Sequence, residues 1–133
     1  MLALALPVKL PSTTGGSSTE ECLTIADHPV TGADAIRRLK PCATIIPDDV
    51  ELLADLGAAY EAAAQSGEAE RLYRQILALD DEYADIHVRL ARLLLQRGDT
   101  AAARRHLERA LQIQPNRRTI VTMIEQADGA GNR

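Results

Sequence analysis

The sequence predicts an all-α fold: a right-handed α-solenoid of antiparallel helix hairpins closed by a C-terminal capping helix. Three observations point there. The chain resembles itself when shifted by 34 residues, the length of a two-helix unit. Hydrophobic residues make up 46% of its 133 positions, yet Phe and Trp are absent and Tyr60, Tyr73 and Tyr83 are the only tyrosines. Alanine, leucine and isoleucine must therefore build the core, and the first two are the strongest helix formers. Strand-like alternation of β-branched or aromatic residues between turns is missing.

Under the shift, Leu56, Gly57, Tyr60, Ala69, Tyr73, Ile76 and Asp81 fall on Leu90, Ala91, Leu94, Ala103, Leu107, Ala110 and Pro115, and size class is kept at six of the seven. The spacing has a physical sense. Small residues at 57 and 69 let two antiparallel helices approach closely, while Tyr60 and Tyr73 fill the space between hairpins. One helical turn separates Gly57 from Tyr60 and about one separates Ala69 from Tyr73.

This pattern resembles the tetratricopeptide repeat, a helix-turn-helix unit of about 34 residues with large, Leu, Gly, Tyr, Ala, aromatic, Ala and Pro at fixed offsets. LGAAY and EAERLYRQIL in the first copy, and RGDTAAARRHLERALQIQP in the second, carry the likeness. Ala91 replaces the family's Gly and Asp81 its closing Pro. The turn glycine comes three residues later in the first copy (Gly67) than in the second (Gly98). The first hairpin is therefore expected to have the longer leading helix and the tighter turn.

Taken in order, residues 1–17 are expected to be a flexible segment. MLALALPVKLPSTTGGSS has an apolar run without a preceding basic residue, short of a secretory signal, and its Ser/Thr/Gly stretch reads as a linker. The repeat domain spans 18–127 and opens with a degenerate hairpin, 18–47, because Ala35, Leu39, Cys42 and Pro47 precede Ala69, Tyr73, Ile76 and Asp81 by one period. Its leading helix holds Cys22, Leu23 and Ala26, with Ser18 or Thr19 as N-cap. His28-Pro29 ends that helix early, and Pro41 must kink the second or replace its last turn. Repeats follow at 50–83 and 84–117. A capping helix, 118–127, carries Ile120, Ile124 and Ala127 on one face, as a terminal repeat needs. Residues 128–133 are expected to be a disordered tail.

The net charge of −4 gives no support to nucleic-acid binding, which needs a clustered basic surface. Its distribution is more telling. From Asp48 to Asp85 acids outnumber bases eleven to two, whereas from Ile86 to Arg118 eight arginines face only Asp99 and Glu108. The plain reading is solvated helix faces that attract one another along the chain. Head-to-tail self-association, giving a homo-oligomer, is the alternative. No run approaches the ~20 apolar residues of a membrane span, so a soluble chain is expected.

Nothing in the sequence demands an enzyme: there is no Gly-rich phosphate loop, no HExxH and no Ser-containing elbow. No catalytic residue, metal or cofactor is expected. His87 sits where the family prefers a large residue and is read as packing, and His106, among arginines, as solvated. Cys22 and Cys42 occupy facing helices of one hairpin, one period before Leu56 and Ile76. Two small buried thiols are the first reading. A disulfide is the alternative, implying an oxidising compartment. A metal site with His28 fits no familiar spacing. The cytoplasm is the expected compartment. The periplasm or cell exterior replaces it if the start is a truncated signal and the cysteines are bridged.

The resemblance implies a protein-interaction scaffold whose leading helices line a concave groove. The family's groove positions map onto Glu51, Ala54, Ala58, Glu61 and Ala62, then Asp85, Val88, Arg92, Leu95 and Gln96, with Glu20, Thr24 and Asp27 from the degenerate copy. A floor of alanine leaves room for a partner's peptide or helix. The competing reading is that the alanines reflect helix propensity alone. One subclass of the family grips a chaperone tail's carboxylate with Lys, Asn and Arg. Here those places hold Glu20, Thr24, Asp55 and Asp85, and only Arg89 matches. A partner with basic and apolar residues is expected instead. The apolar start, Leu2, Leu4, Leu6, Val8 and Leu10, is a second candidate occupant of the groove.

Overall fold

The protein is described by a computed structural model covering Cys22 and residues 32–131. It contains α1 (Ala33–Ile45), α2 (Val50–Ala62), α3 (Ser66–Leu79), α4 (Ala84–Arg97), α5 (Thr100–Ile113) and α6 (Arg118–Gly131). There is no strand among the described residues. Each helix packs on its neighbours in sequence, which makes α2/α3 and α4/α5 the two complete hairpins. A single buried cluster threads them from Cys22 to Ile120. The expected flexible segment 1–17, the leading helix of the degenerate hairpin apart from Cys22, and residues 132–133 lie outside the described residues.

The helix boundaries have local causes. Asp49 and Asp99 cap α2 and α5, accepting hydrogen bonds from the amides of Leu52 (3.0 Å) and Ala102 (3.2 Å). A side-chain oxygen there satisfies one of the amides that a helix start leaves unpaired. The two hairpin turns repeat one period apart. Gln65 N–H donates to the Tyr60 carbonyl at 2.8 Å, and Asp99 N–H to that of Leu94 at 2.9 Å. The residue before each donor is left-handed: Ala64 at φ 59° and Gly98 at φ 88°.

This corrects the expectation of a longer leading helix in the first hairpin. α2 has 13 residues and α4 has 14. Gly67 is not the turn glycine but part of the first turn of α3. The turn is fixed by backbone hydrogen bonds at an invariant distance from the packed helix faces, and alanine occupies its strained position in the first copy. α1 likewise runs through Pro41 to Ile45 rather than losing its last turn. Proline 41 and Arg37 are both exposed, so the carbonyl deprived of its donor stays open to water.

Close packing explains the small residues. A Cβ on Gly57 would lie 2.5 Å from Cε1 of Tyr73, whose side chain is fully buried. In the second hairpin Leu107 takes the tyrosine's place and Ala91 is accommodated, both without exposure. Successive hairpins are also tied by a repeated polar link. Gln75 Nε2 donates to the Pro47 carbonyl at 3.1 Å, and one period later Arg109 Nε donates to Asp81 Oδ2 at 2.6 Å.

α6 stands where the leading helix of a further repeat would stand. Ile120 and Ala127 follow Ile86 and Leu93 by 34 residues and are buried with them. Glu125 and Asp128 occupy the places of Ala91 and Leu94, so the face a trailing helix would cover is polar and exposed. The helix does not stop at 127: residues 128–131, read from sequence as tail, continue it. Asp128 accepts a 2.6 Å hydrogen bond from Arg104 of α5, which anchors this last stretch.

Cys22 and Cys42 form a disulfide with a Cα separation of 5.4 Å, which displaces the first reading of two free thiols. Leu56 and Ile76, one period on, are both buried in their hairpin, and the cysteines are 4% and 0% exposed in theirs. The repeat thus brings facing positions into bonding range.

Two stability predictions follow from these features. Ala64→Gly removes a left-handed alanine, which costs about 1 kcal/mol, and should raise stability in urea denaturation by about that amount; Gly98→Ala should lower it similarly. Reducing the disulfide, which spans 20 positions of sequence, should cost about 3 kcal/mol in the same measurement, since the unfolded chain regains its loop entropy.

Candidate protein-binding groove

The ten groove positions of the two good repeats lie on α2 and α4 and fall on one face of each helix. On α2, Glu51 and Ala62 are exposed and Ala54, Ala58 and Glu61 partly so. On α4, Asp85, Arg92 and Gln96 are exposed and Leu95 is half-buried. Val88 is the exception, at 8% exposure, and belongs to the core rather than to an accessible floor. Glu20, Thr24 and Asp27 lie outside the described residues.

Several of these groups are already engaged. The Tyr73 hydroxyl donates to Glu61 Oε1, and Arg89 Nη1 approaches the same oxygen at 3.4 Å. Burial, then the hydrogen bond to the Glu61 carboxylate, pushes the Tyr73 phenol well above its ordinary value, so it stays protonated as a donor. This network was not read from the sequence, although a signal exists. The Tyr73 ring rests on Gly57, and Glu61 is one helical turn further along α2, within reach of the ring's far end. Asp85 is likewise bound to Arg117. Glu51 and Asp55 on α2 and Arg92 on α4 make no ion pair among the described residues.

The opposed charge of the two repeats is met inside the molecule. Arg97 pairs with Glu70 at 2.8 Å, Arg109 with Asp81 at 2.6 Å, Arg89 with Glu61, and Arg117 with Asp85. Every one of these joins an arginine of 86–118 to an acid of 48–85. Most are exposed, and each contributes little by itself.

His87 is buried, as its repeat position suggested, at 2% exposure. His106 corrects the reading of a solvated side chain. It is half-buried, with Nδ1 3.0 Å from Nδ1 of His87. No group of three or more His, Cys, Asp or Glu among the described residues is arranged to hold a metal ion. A cleft of about 260 Å³ between α3 and α4 is lined by Ser66, Gly67, Glu70, Leu93, Gln96 and Arg97. Its carboxylate and guanidinium are spent on one another. No described helix is long and apolar enough to cross a membrane.

Comparison with known proteins agrees with this architecture. The model of the tetratricopeptide repeat matches residues 62–126, from the end of α2 into α6. No curated protein matches the chain in sequence. Among solved structures, MamA protein superposes with a TM-score of 0.72 at 21% identity, over 86% of this chain and 60% of its own. The chain thus spans 60% of the length of MamA. The type III secretion translocator chaperone SycD of Yersinia enterocolitica gives 0.71 at 21% identity, over 75% of this chain and 74% of its own. SycD solved in complex with a peptide of the translocator YopD gives 0.67 at 22% identity, over 71% and 78%. With the 34-residue period, the repeated turn and the matched model in agreement, the segment 62–126 matches the tetratricopeptide repeat and the chain has that repeat's fold.

Proposed function

We propose that the chain is a non-catalytic scaffold or adaptor that holds a peptide or helix of a partner protein against the face shared by α2 and α4. The observation that carries this reading is the surface of α2. Ala54, Ala58 and Ala62 form a strip of small, solvent-reachable side chains, flanked by the carboxylates of Glu51 and Asp55, which make no ion pair among the described residues. Small residues leave depth for an inserted side chain, and the carboxylates select its neighbours by charge. Leu95 and Gln96 continue the strip on α4, beside Arg92, which makes no ion pair among the described residues. The fold adds support, since SycD, of similar fold, has been solved with a bound peptide.

The favoured partner presents basic and small apolar residues toward α2. An acidic chain terminus is disfavoured, because Arg89, the one residue matching a carboxylate clamp, is turned onto Glu61 beside the Tyr73 hydroxyl. Self-association through opposed charge is the weaker alternative, because the arginine-rich and acid-rich segments already pair within one molecule. The Cys22–Cys42 bridge supports an oxidising compartment over the cytoplasm, where thiols are kept reduced.

A photo-crosslinking residue at position 58 should capture a partner in native lysate, whereas one at Arg71, exposed on the trailing helix α3, should not. Ala58→Glu in the same experiment should abolish capture at a second groove site such as position 62. Equal capture from positions 58 and 71 would remove the groove from consideration. In calorimetry, a peptide with an acidic C-terminus should show no submicromolar binding to the unmodified chain. Glu61→Gln, by weakening the hold on Arg89, should strengthen its binding several-fold.

A further inference from the structure

The histidine pair in the second hairpin has a proton arrangement that can be worked out from its partners. His87, on α4, places Nε2 3.0 Å from the Asp81 carbonyl oxygen and 3.1 Å from Asp81 Oδ1. Both are acceptors, so Nε2 carries a proton and, in the neutral ring, Nδ1 is bare. The proton in the 3.0 Å contact between the two Nδ1 atoms therefore belongs to His106 of α5. Ring centroids are 5.3 Å apart, close to the nitrogen separation plus two ring radii, so the nitrogens point straight at each other. A shared metal ion would need the lone pairs to converge at an angle, and this geometry is that of a hydrogen bond.

Such a contact holds one proton between the rings and no more. One added proton leaves the contact intact, because a charged ring still donates to the bare Nδ1 of its neutral partner, whereas a second sets two N–H groups head to head. A proton on Nε2 of His106 enters surroundings that are already positive: Arg74 of α3 and Arg105 of α5 act against it, and only Asp81 opposes them. Asp81 itself is held charged by the hydrogen bond from Arg109, with His87 adding to the effect, so it does not yield first. We propose that the His87–His106 contact is an acid-sensitive bolt joining α4 to α5 on the side that faces α3: closed while at least one ring is neutral, and opened when both are protonated. On opening, His87 stays on Asp81 and the half-buried His106 turns out toward solvent. The bolt acts on α4, which carries half of the proposed groove, but its existence does not rest on the binding reading.

The direction of the effect is consistent with the surroundings of His106. Burial first, then the charges of His87, Arg74 and Arg105, pull it below the ordinary imidazole value. The folded chain thus binds this proton less well than the unfolded chain. The stabilisation is full above about pH 6.5 and is lost as pH falls below it.

The test uses the full-length oxidised chain. Thermal unfolding is followed at pH 7.5 and pH 5.0, above the range where carboxylates dominate, for the unmodified protein and for His106→Gln, whose amide can still donate to His87. The unmodified protein should lose on the order of 5 °C in its midpoint between the two pH values, and the variant less than half of that. An equal loss in both, or no loss in the unmodified protein, overturns the proposal. Histidine ring resonances followed by NMR give a second readout that needs no variant. His106 titrating below pH 6.5, with its environment changing together with that of His87, supports the bolt. A normal, independent titration overturns it.

Discussion

The packing of the Tyr73 ring against Gly57 inside the first hairpin is the constraint on which the other features depend. Tyr73 lies over Gly57 so tightly that a single methyl group would collide with it. Close-packed interiors leave no slack for such an addition. Once that ring is fixed, its hydroxyl reaches Glu61, and Glu61 draws in Arg89 from the next hairpin. In the second hairpin Leu107 and Ala91 fill the equivalent places, fully buried and with no polar end. The first repeat is therefore the one that carries a polar tie through its own packing residue.

A second layer of specification comes from the connections. Residues that reach backward from a trailing helix to the preceding connection recur one period apart, first as Gln75 to Pro47 and then as Arg109 to Asp81. The replacement of a closing proline by Asp81 gives this connection a carboxylate, and that carboxylate gathers Arg109 and His87 together. Departures from the repeat pattern thus mark chemistry peculiar to this chain. Two others behave alike: cysteines in place of aliphatics become a disulfide, and Glu125 with Asp128 in place of alanine and leucine turns a leading helix into a polar end.

The surface that the proposed binding reading requires is defined by subtraction. Of the charged groups on the leading helices, Glu61, Asp85 and Arg89 are held by internal partners, whereas Glu51, Asp55 and Arg92 make no ion pair among the described residues. Coulombic steering of a partner depends on what remains unneutralised, not on the formal charge of the sequence. An eleven-to-two excess of acid in one segment therefore shrinks to a small acidic flank around an alanine strip.

Much of this was legible in the sequence because a repeat fixes its own geometry. A 34-residue period carrying small residues at 57, 69, 91 and 103 specifies the helix order, the hairpin pairing and the face that α2 and α4 present. The turn in the first hairpin was not legible, since Gly67 drew attention while the left-handed position belongs to Ala64, a residue with no preference for it. Val88 was placed in the groove by its repeat position and is buried instead, because neighbouring helices decide exposure. By itself the sequence determined which residues share a helix face, for that follows from local periodicity. Only the tertiary structure decided which of them touch: the Cys22–Cys42 bridge, the Tyr73–Glu61–Arg89 tie and the His87–His106 contact each depend on distances between helices, to which periodicity along one helix is blind.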